Sequence, residues 1–392
     1  MALAGVLDQI ILALPAEERK GLPKDFTIAK ACRMLGLDCV TAVGSSVRKR
    51  ADHDYHSRGF LYAPGGRKGL ATLAGGKASK LMLLDVAPKE TDLALEFPLY
   101  LKGFSREMLA MVADFMPAAE KEQFEAQISQ PLPPVGVSIM DVLEKTDARV
   151  GIYLKLDPSQ KMKVAPDAPE LPGIDGVIVI ERLGWLVEKV KPQIVQALAD
   201  PQGPATLTDK DGVLTIQAKQ PAGPPPMDYL PVVRFDPKAD RIIIASRPAL
   251  LDSVIAGKDK FSQRADFADT WRDLPAEGNA CFFASSRLLQ TIGGLIGEAM
   301  KASKSSASEA AMVGVMAEWL KPFTTRSQVV VWSNQADGVL LASNTAIPVN
   351  SSITALATAG VLAGVAVPAT MRAKLKAAEI QELPMPEGVK PE

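Results

Sequence analysis

The chain has 392 residues, of which 47% are hydrophobic and 5% aromatic, and its 44 basic and 45 acidic side chains leave a net charge of −1. At about 150 residues per domain, this length predicts two or three domains, each able to bury a core. The balanced charge excludes a bulk attraction to nucleic acid or to an anionic membrane surface.

The chain is predicted to begin with two helices and a hairpin. Apolar residues recur at helical spacing over 1–14. Because Asp8 interrupts this stretch and no basic residue precedes it, we expect an amphipathic helix rather than a signal peptide. A second helix is predicted at 27–35. Strands at 39–47 and 59–63 follow, and the charged residues between them, which include both histidines, predict a solvated loop.

The next stretch is predicted to contain a strand, two helices and a second strand. The strand at 93–98 follows a Pro-x-Glu turn, and the helix at 105–115 carries apolar residues on one face. A proline-rich linker separates this helix from a short one at 138–144, which leads to a strand at 149–156. Residues 164–173 are again rich in proline and predict a surface loop.

The chain then predicts a strand, a helix, two hairpins and a further helix. The strongest turn signal is the run Asp209-Lys210-Asp211-Gly212, because an Asp-Gly pair accommodates the positive φ angles of a tight hairpin. The same run lacks the remaining ligands of a calcium loop. The other predicted strands lie at 176–180, 232–235 and 241–245, and the predicted helices at 185–198 and 248–256.

Residues 274–347 show most clearly the pattern on which the fold prediction rests. A strand at 280–284 precedes a helix with apolar residues at three- and four-residue steps, and a second helix follows at about 312–320. A hairpin of strands at 327–332 and 339–343 completes the unit. The sequence therefore predicts an α+β fold, in which repeated strand–helix–helix–hairpin units form antiparallel sheets with helices on one face.

These patterns divide the chain into four predicted segments. Residues 1–163 and 174–348 are expected to form two α+β repeat lobes. Residues 349–380 predict a hydrophobic helix with a basic continuation. The proline-rich residues 381–392 predict a disordered tail.

The hydrophobic segment near the end of the chain has the length of a membrane anchor. No charged residue occurs from 338 to 371, and the run 353–371 approaches the roughly 20 residues that cross a bilayer core. Basic residues follow directly at Arg372 and Lys374. We therefore predict a transmembrane helix whose membrane contacts are Ile353, Leu356, Val361, Leu362, Val365, Val367, Pro368 and Met371.

Two features of the chain resemble known protein families. The run 358–378, in which an Ala- and Gly-rich span ends at Pro368 and continues as a basic helix, resembles the hydrophobic helix of type IV pilin-like proteins. Pilins carry that span at the start of the mature chain, so the resemblance here implies membrane anchoring. The turns Pro88-Lys89-Glu90 and Pro275-Ala276-Glu277, each before an extended run, resemble bacterial envelope proteins of unassigned function with repeated α+β units. That resemblance implies an envelope location and assigns no catalytic residue.

The candidate chemical motifs favour no catalytic residue, metal site or cofactor. His53 and His56 could ligate a transition metal, but no second ligand cluster accompanies them. Since the chain has no other histidine, a Ser-His-Asp or Cys-His site elsewhere is excluded. Ser46-Val47-Arg48-Lys49 lies in a predicted strand, whereas penicillin-recognising enzymes place this serine at a helix N-terminus. Gly75-Gly76-Lys77 lacks the spacing of a phosphate loop and predicts turns around a short helix.

The leading functional hypothesis is a non-catalytic, membrane-anchored protein of the bacterial cell envelope that acts as a binding or structural module. It depends on the lack of catalytic motifs and on the apolar tail. One alternative is a soluble hydrolase or small-molecule binder with a packed C-terminal helix, and another is a pilus-like assembly component. The expected partners are the membrane and other envelope proteins, and nucleic acid is not expected.

Overall fold

Antiparallel strand pairing dominates the structure, which is a computed structural model of the chain. The structure describes residues 36–102, 118–163, 170–200, 202–220, 229–302 and 321–348, together with Thr27, Cys32, Arg33 and Leu109. These residues belong mainly to a unit that spans Arg33–Val349, and a second unit comprises Met1–Cys32 and Asn350–Glu392. Apart from Leu109, the predicted helices at 1–14, 105–115, 312–320 and 349–380 and the predicted tail at 381–392 lie outside the described residues.

Twelve strands form one continuous antiparallel sheet. Their order across it is β1-β2-β14-β13-β12-β4-β5-β6-β10-β9-β8-β7, and β3 pairs separately with β11. The strands are β1 (Ala42–Ala51), β2 (Asp54–Tyr62), β3 (Ser79–Lys80), β4 (Leu93–Tyr100), β5 (Asp147–Lys163), β6 (Glu170–Glu181), β7 (Ala205–Lys210), β8 (Val213–Ala218), β9 (Val232–Asp236), β10 (Arg241–Ala245), β11 (Glu277–Gly278), β12 (Ala280–Ala284), β13 (Gln328–Gln335) and β14 (Gly338–Thr345).

Three of the described helices have a recognisable capping signal at one end or both. Ser138 forms a capping box with Asp141 at the start of α2, and α4 starts at Pro248 and ends before Gly257, which has a φ of 60°. At α6, the Leu288 N–H donates to the Ser285 hydroxyl at 3.0 Å. The described α-helices are α1 (Ala118–Ser129), α2 (Ile139–Lys145), α3 (Gly184–Ala197), α4 (Pro248–Ala256), α5 (Phe267–Thr270) and α6 (Ser286–Ala302).

Several elements coincide with their predicted bounds because their local signals are strong. β10, β12 and α4 begin and end where the sequence predicts. The hairpin of β7 and β8 turns at Asp211 and Gly212, whose φ angles are 55° and 81°. The Asp-Gly pair therefore forms the positive-φ turn that it predicts.

The predicted fold class is wrong, because the hairpins do not form separate sheets within repeated α+β units. They join edge to edge into the twelve-stranded sheet, with β4 and β12 paired near its middle. A hairpin on its own leaves unpaired N–H and C=O groups along both edges, and joining the hairpins satisfies these groups. Hydrophobic periodicity identifies strands but not their partners, so it did not reveal one continuous sheet.

Three further differences concern the bounds of elements. β1 and β2 extend through most of the segment between 47 and 59, so the predicted solvated loop is limited to the exposed turn at 52–53. α1 was not predicted, since its sequence is mainly charged and polar and lacks an apolar stripe. β5 and β6 pair with each other on either side of 164–169, so the sheet runs through both predicted lobes.

The main core lies on one face of the sheet, called here the core face. The buried strand residues Val177, Phe283 and Val331 pack on this face with Leu83 and with Phe261. The rings of Phe261 and Phe283 meet edge-on, with 4.8 Å between their centroids. This aromatic contact joins the segment that follows α4 to the middle of the sheet.

Helices lie against both faces of the sheet rather than against one face as predicted. α4 inserts Leu251 into the core. Phe235 is buried on the opposite face, because Val232, an odd number of residues away on the same strand, points into the core. On this opposite face, the start of α3 lies close to Phe235, since a Cβ atom placed on Gly184 would be 3.3 Å from the Phe235 ring. Strands that are apolar on both faces allow this two-sided packing.

Candidate functional site

The face of the sheet opposite the core, called here the second face, carries aliphatic side chains in register. Ile152 of β5, Ile178 of β6 and Ile244 of β10 are direct cross-strand neighbours. Because side chains alternate along a strand, the adjacent residues Val177 and Val179 point into the core instead. The isoleucine row forms the floor of an apolar groove with a volume of about 380 Å³.

Among the described residues, no charged side chain lines the groove. The Tyr229 hydroxyl donates a hydrogen bond to the Ile174 carbonyl at 2.5 Å. The Ser246 hydroxyl donates to Asp175 at 3.0 Å and accepts the Gly176 N–H at 3.2 Å. These polar atoms are thus satisfied within the protein, and the groove offers apolar contact. Its lining residues are Ile152, Leu154, Ile174, Gly176, Val177, Ile178, Tyr229, Pro231, Ile244, Ala245 and Ser246.

Apolar surface continues from the groove towards the middle of the sheet. Phe282 of β12 is opposite Leu95 of β4, which is in turn opposite Ile152. Phe282 and Phe97 expose 39% and 40% of their surface. Exposed apolar surface that is contiguous in this way is typical of a ligand or partner site rather than of an isolated surface residue.

A second cavity, of about 370 Å³, lies where β4 and α6 begin and is lined by charged side chains. Its Asp92 carboxylate is buried and accepts hydrogen bonds from Arg287, with 3.0 Å between Nε and Oδ1. This hydrogen bond raises the pKa of Arg287. Every carboxylate that lines the cavity has a basic partner, as in a structural ion-pair network. The pairs are Asp92–Arg287, Asp266–Arg264 and Glu90–Lys155.

A ladder of alternating charges crosses four adjacent strands on the core face. It consists of Glu96, Arg149, Glu181 and Arg241. The Glu96 side chain is fully buried and accepts the backbone N–H groups of residues 82 and 83 at 3.0 Å each, besides the Arg149 guanidinium. Burial raises the pKa of Glu96. These contacts hold the turn at 82–84 on the sheet.

Two more titratable side chains, Tyr153 and Cys281, are buried beside Glu96. Burial first, and then the negative charge of Glu96, raises the pKa of both groups well above the usual range. A reactive thiolate needs a lowered pKa and access to solvent. Both side chains are therefore interpreted as part of the core.

The two candidate metal ligands of the sequence lie in different environments. His53 is exposed at the turn, whereas His56 is buried in β2, where the predicted solvated loop is wrong. The Nδ1 atom of His56 lies 2.8 Å from Asn344 Oδ1, and Arg58 Nε donates to its Nε2 atom at 3.1 Å. A neutral ring with its proton on Nδ1 satisfies both contacts. Within the described residues, no group of three or more His, Cys, Asp or Glu side chains is placed to hold a metal ion.

The other predicted motifs either have a structural role or fall outside the described residues. The carbonyl groups of Gly75 and Gly76 accept hydrogen bonds from Asn334 Nδ2 at 2.9 and 2.8 Å, so this pair forms a structural turn as predicted. Ser46 lies in β1, as the sequence predicted. The predicted membrane contacts from Ile353 to Met371 lie outside the described residues. Of the helices that are described, none combines the length and the apolar character needed to cross a bilayer.

No family model, curated protein or solved structure matches the chain. Sequence reasoning missed the groove because β10, which completes its lining, is distant in the chain from β5 and β6 and meets them only in the sheet. The one available signal was the apolar character of both faces in strands such as 149–156 and 176–180, which indicates that the second face is also in use.

Proposed function

We propose that the protein is a non-catalytic binding module of the bacterial envelope that holds an apolar, acyl-chain-like ligand in the groove on the second face. The observation that carries the proposal is the uncharged groove over Ile152, Ile178 and Ile244. Anchoring to the membrane through 353–371 is the second part of the proposal, and it is supported by the apolar sequence of that run and its resemblance to pilin-like helices.

The chemistry of the groove favours an apolar ligand over a polar one. Its volume of about 380 Å³ is within the size range of small-molecule sites. Apolar surface removed from water contributes about 25 cal/mol per Å². A charged ligand group would lose its hydration against this lining without gaining a partner. Because the floor side chains stand on hydrogen-bonded strands, little ordering is needed when the ligand binds.

The placement of the charged groups supports a non-catalytic role. A general acid or base must come within hydrogen-bond reach of the proton that it transfers. Glu96 and Asp92 are instead buried and already bonded to arginine side chains. His56 has partners at both ring nitrogens. These groups stabilise the fold, and the groove has none of them in its lining.

Replacement of Ile178 by glutamine tests the proposed groove. We expect the full chain to bind N-phenyl-1-naphthylamine, a neutral apolar fluorophore, with a rise in its fluorescence. The Ile178→Gln variant should bind it more weakly, by about tenfold or more, since burial of one isoleucine side chain is worth about 1.5–3 kcal/mol. The titration should be repeated with a fatty acid as competitor.

Ile255→Gln is the matched control, because Ile255 on α4 is 43% exposed and lies outside the groove. It should bind the fluorophore as the unaltered chain does. Unfolding curves of both variants separate weaker binding from loss of the fold. Equal affinity of the Ile178→Gln variant and the unaltered chain would contradict the proposed groove, as would no binding by the unaltered chain.

A further inference from the structure

β1 forms one edge of the sheet and exposes both of its faces. The strand is ten residues long and pairs with β2 on one side. Its first five residues, 42–46, are all exposed. Val43 is 60% exposed. A long edge strand of this kind presents a row of N–H and C=O groups that another strand can pair with.

The composition of β1 favours pairing with a strand. Residues 42–47 carry no charge, so the six-residue stretch lacks the charged side chains that protect many edge strands. The charges lie at the two ends: Asp38 is exposed just before the strand, and Arg48 and Lys49 are exposed near its end. Arg48 and Lys49 are paired with Asp273 and Asp52 within the same copy, so these charges need no partner from a second copy.

We propose that two copies of the chain associate by antiparallel pairing of their β1 strands about a two-fold axis at Ser45. In this register, Val43 of each copy lies opposite Val47 of the other, so both strands cover their exposed valine. Arg48 lies opposite Ala42, six residues from the second Arg48. At about 3.3 Å per residue, the two Arg48 side chains are then about 20 Å apart, beyond the screening length of about 8 Å in physiological salt.

The pairing extends the sheet of one copy into that of the other. It satisfies the outward backbone groups of β1 and leaves the groove, which lies on β5, β6 and β10, unchanged. The association therefore does not depend on ligand binding, and either property can fail without the other.

Substitution of Ser45 by charged residues tests this association. Sedimentation velocity of the full chain over a concentration series, in a mild non-ionic detergent, should show a dimer. Ser45→Lys and Ser45→Glu each place like charges next to each other across the axis, and each should weaken the dimer about tenfold or more. An equimolar mixture of the two variants should restore it, because the charges are then opposite.

Thr206→Lys is the matched control, since Thr206 is exposed on β7 at the other edge of the sheet. It should dimerise as the unaltered chain does. A monomeric unaltered chain overturns the proposal. A dimer that survives both Ser45 substitutions also overturns the proposal, because it must then use another surface. An equimolar mixture of the two variants that stays monomeric overturns it as well.

Discussion

Arg149 is expected to be among the most costly residues to replace, because it neutralises the fully buried Glu96. In the Arg149→Met variant, the Glu96 carboxylate stays buried without its charged partner. We expect a loss of about 3–5 kcal/mol in the free energy of unfolding, as for other broken buried ion pairs. Denaturant unfolding followed by tryptophan fluorescence measures this loss.

The loss in the free energy of unfolding of the Arg149→Met variant should depend on pH in a defined direction. Burial raises the pKa of Glu96, and removal of the Arg149 charge raises it further. Above that pKa the folded variant must keep an uncompensated charge, whereas below it the carboxyl group is neutral. The loss should therefore be larger at pH 8 than at pH 5. Arg241→Met is the control, because Arg241 is 34% exposed and its loss should cost about 1 kcal/mol or less. A loss that is the same at both pH values would exclude the Glu96 charge as its cause.

His56 should make the fold less stable in mild acid. Burial is the main cause that lowers the pKa of His56, and the positive charges of Arg50 and Arg58 lower it further. The hydrogen bond with Asn344 and the negative charge of Asp273 raise it in part. The unfolded histidine has a pKa of about 6.5. As the pH falls below that value, the unfolded chain takes up a proton that the folded chain resists. The free energy of unfolding then decreases, by up to about 1.4 kcal/mol per pH unit, until the folded pKa is reached.

The His56→Gln variant measures this contribution. Its melting temperature should fall less between pH 7.5 and 5.5 than that of the unaltered chain, because glutamine takes up no proton in this range. His53→Gln is the control, since His53 is exposed. If the His56→Gln variant keeps the full pH dependence, other titrating groups must account for it.

At the scale of elements, the strands with local signals could be predicted and their partners could not. The bounds of β10 and β12 follow from short apolar runs between turns, and the β7–β8 hairpin follows from Asp211 and Gly212. The sequence of a strand does not indicate which other strand it pairs with. β1 and β2 were predicted too short, because the charged residues from 48 to 58 suggest solvent, although Arg50 and His56 are buried in the structure.

The residues just before β4 and β12 illustrate information that only the fold provides. The N–H group of Asp92 donates to the Leu154 carbonyl at 2.7 Å, and Asp92 Oδ2 accepts the Leu156 N–H at 2.8 Å. Asn279 makes the corresponding contacts with Trp332 at 2.7 Å and with the N–H of residue 334 at 2.8 Å. An aspartate and an asparagine thus close the two ladders in the same way. The Pro-x-Glu turns pointed to these positions, but not to their contacts.

At the scale of the whole molecule, the two faces of the sheet differ in that the core face stabilises the fold, whereas the second face carries the proposed binding groove. The core face contains the large buried cluster and the charge ladder. The second face contains the apolar groove and exposed aromatic side chains such as Phe282. The accessible part of the second face is a rigid support for a ligand, because its strands are fixed from the core side.

The proposed anchor is tested on the whole chain by membrane fractionation with alkaline extraction. We expect the full chain to stay with the membrane after extraction, because the uncharged run 353–371 is about long enough to cross the bilayer core. A chain that ends at Pro348 keeps every strand of the sheet and should be released. Release of both chains would contradict the anchor and favour a soluble binder, whereas retention of both would place the membrane contact within residues 1–348. Binding of the apolar fluorophore by the chain that ends at Pro348 then separates the groove from the anchor.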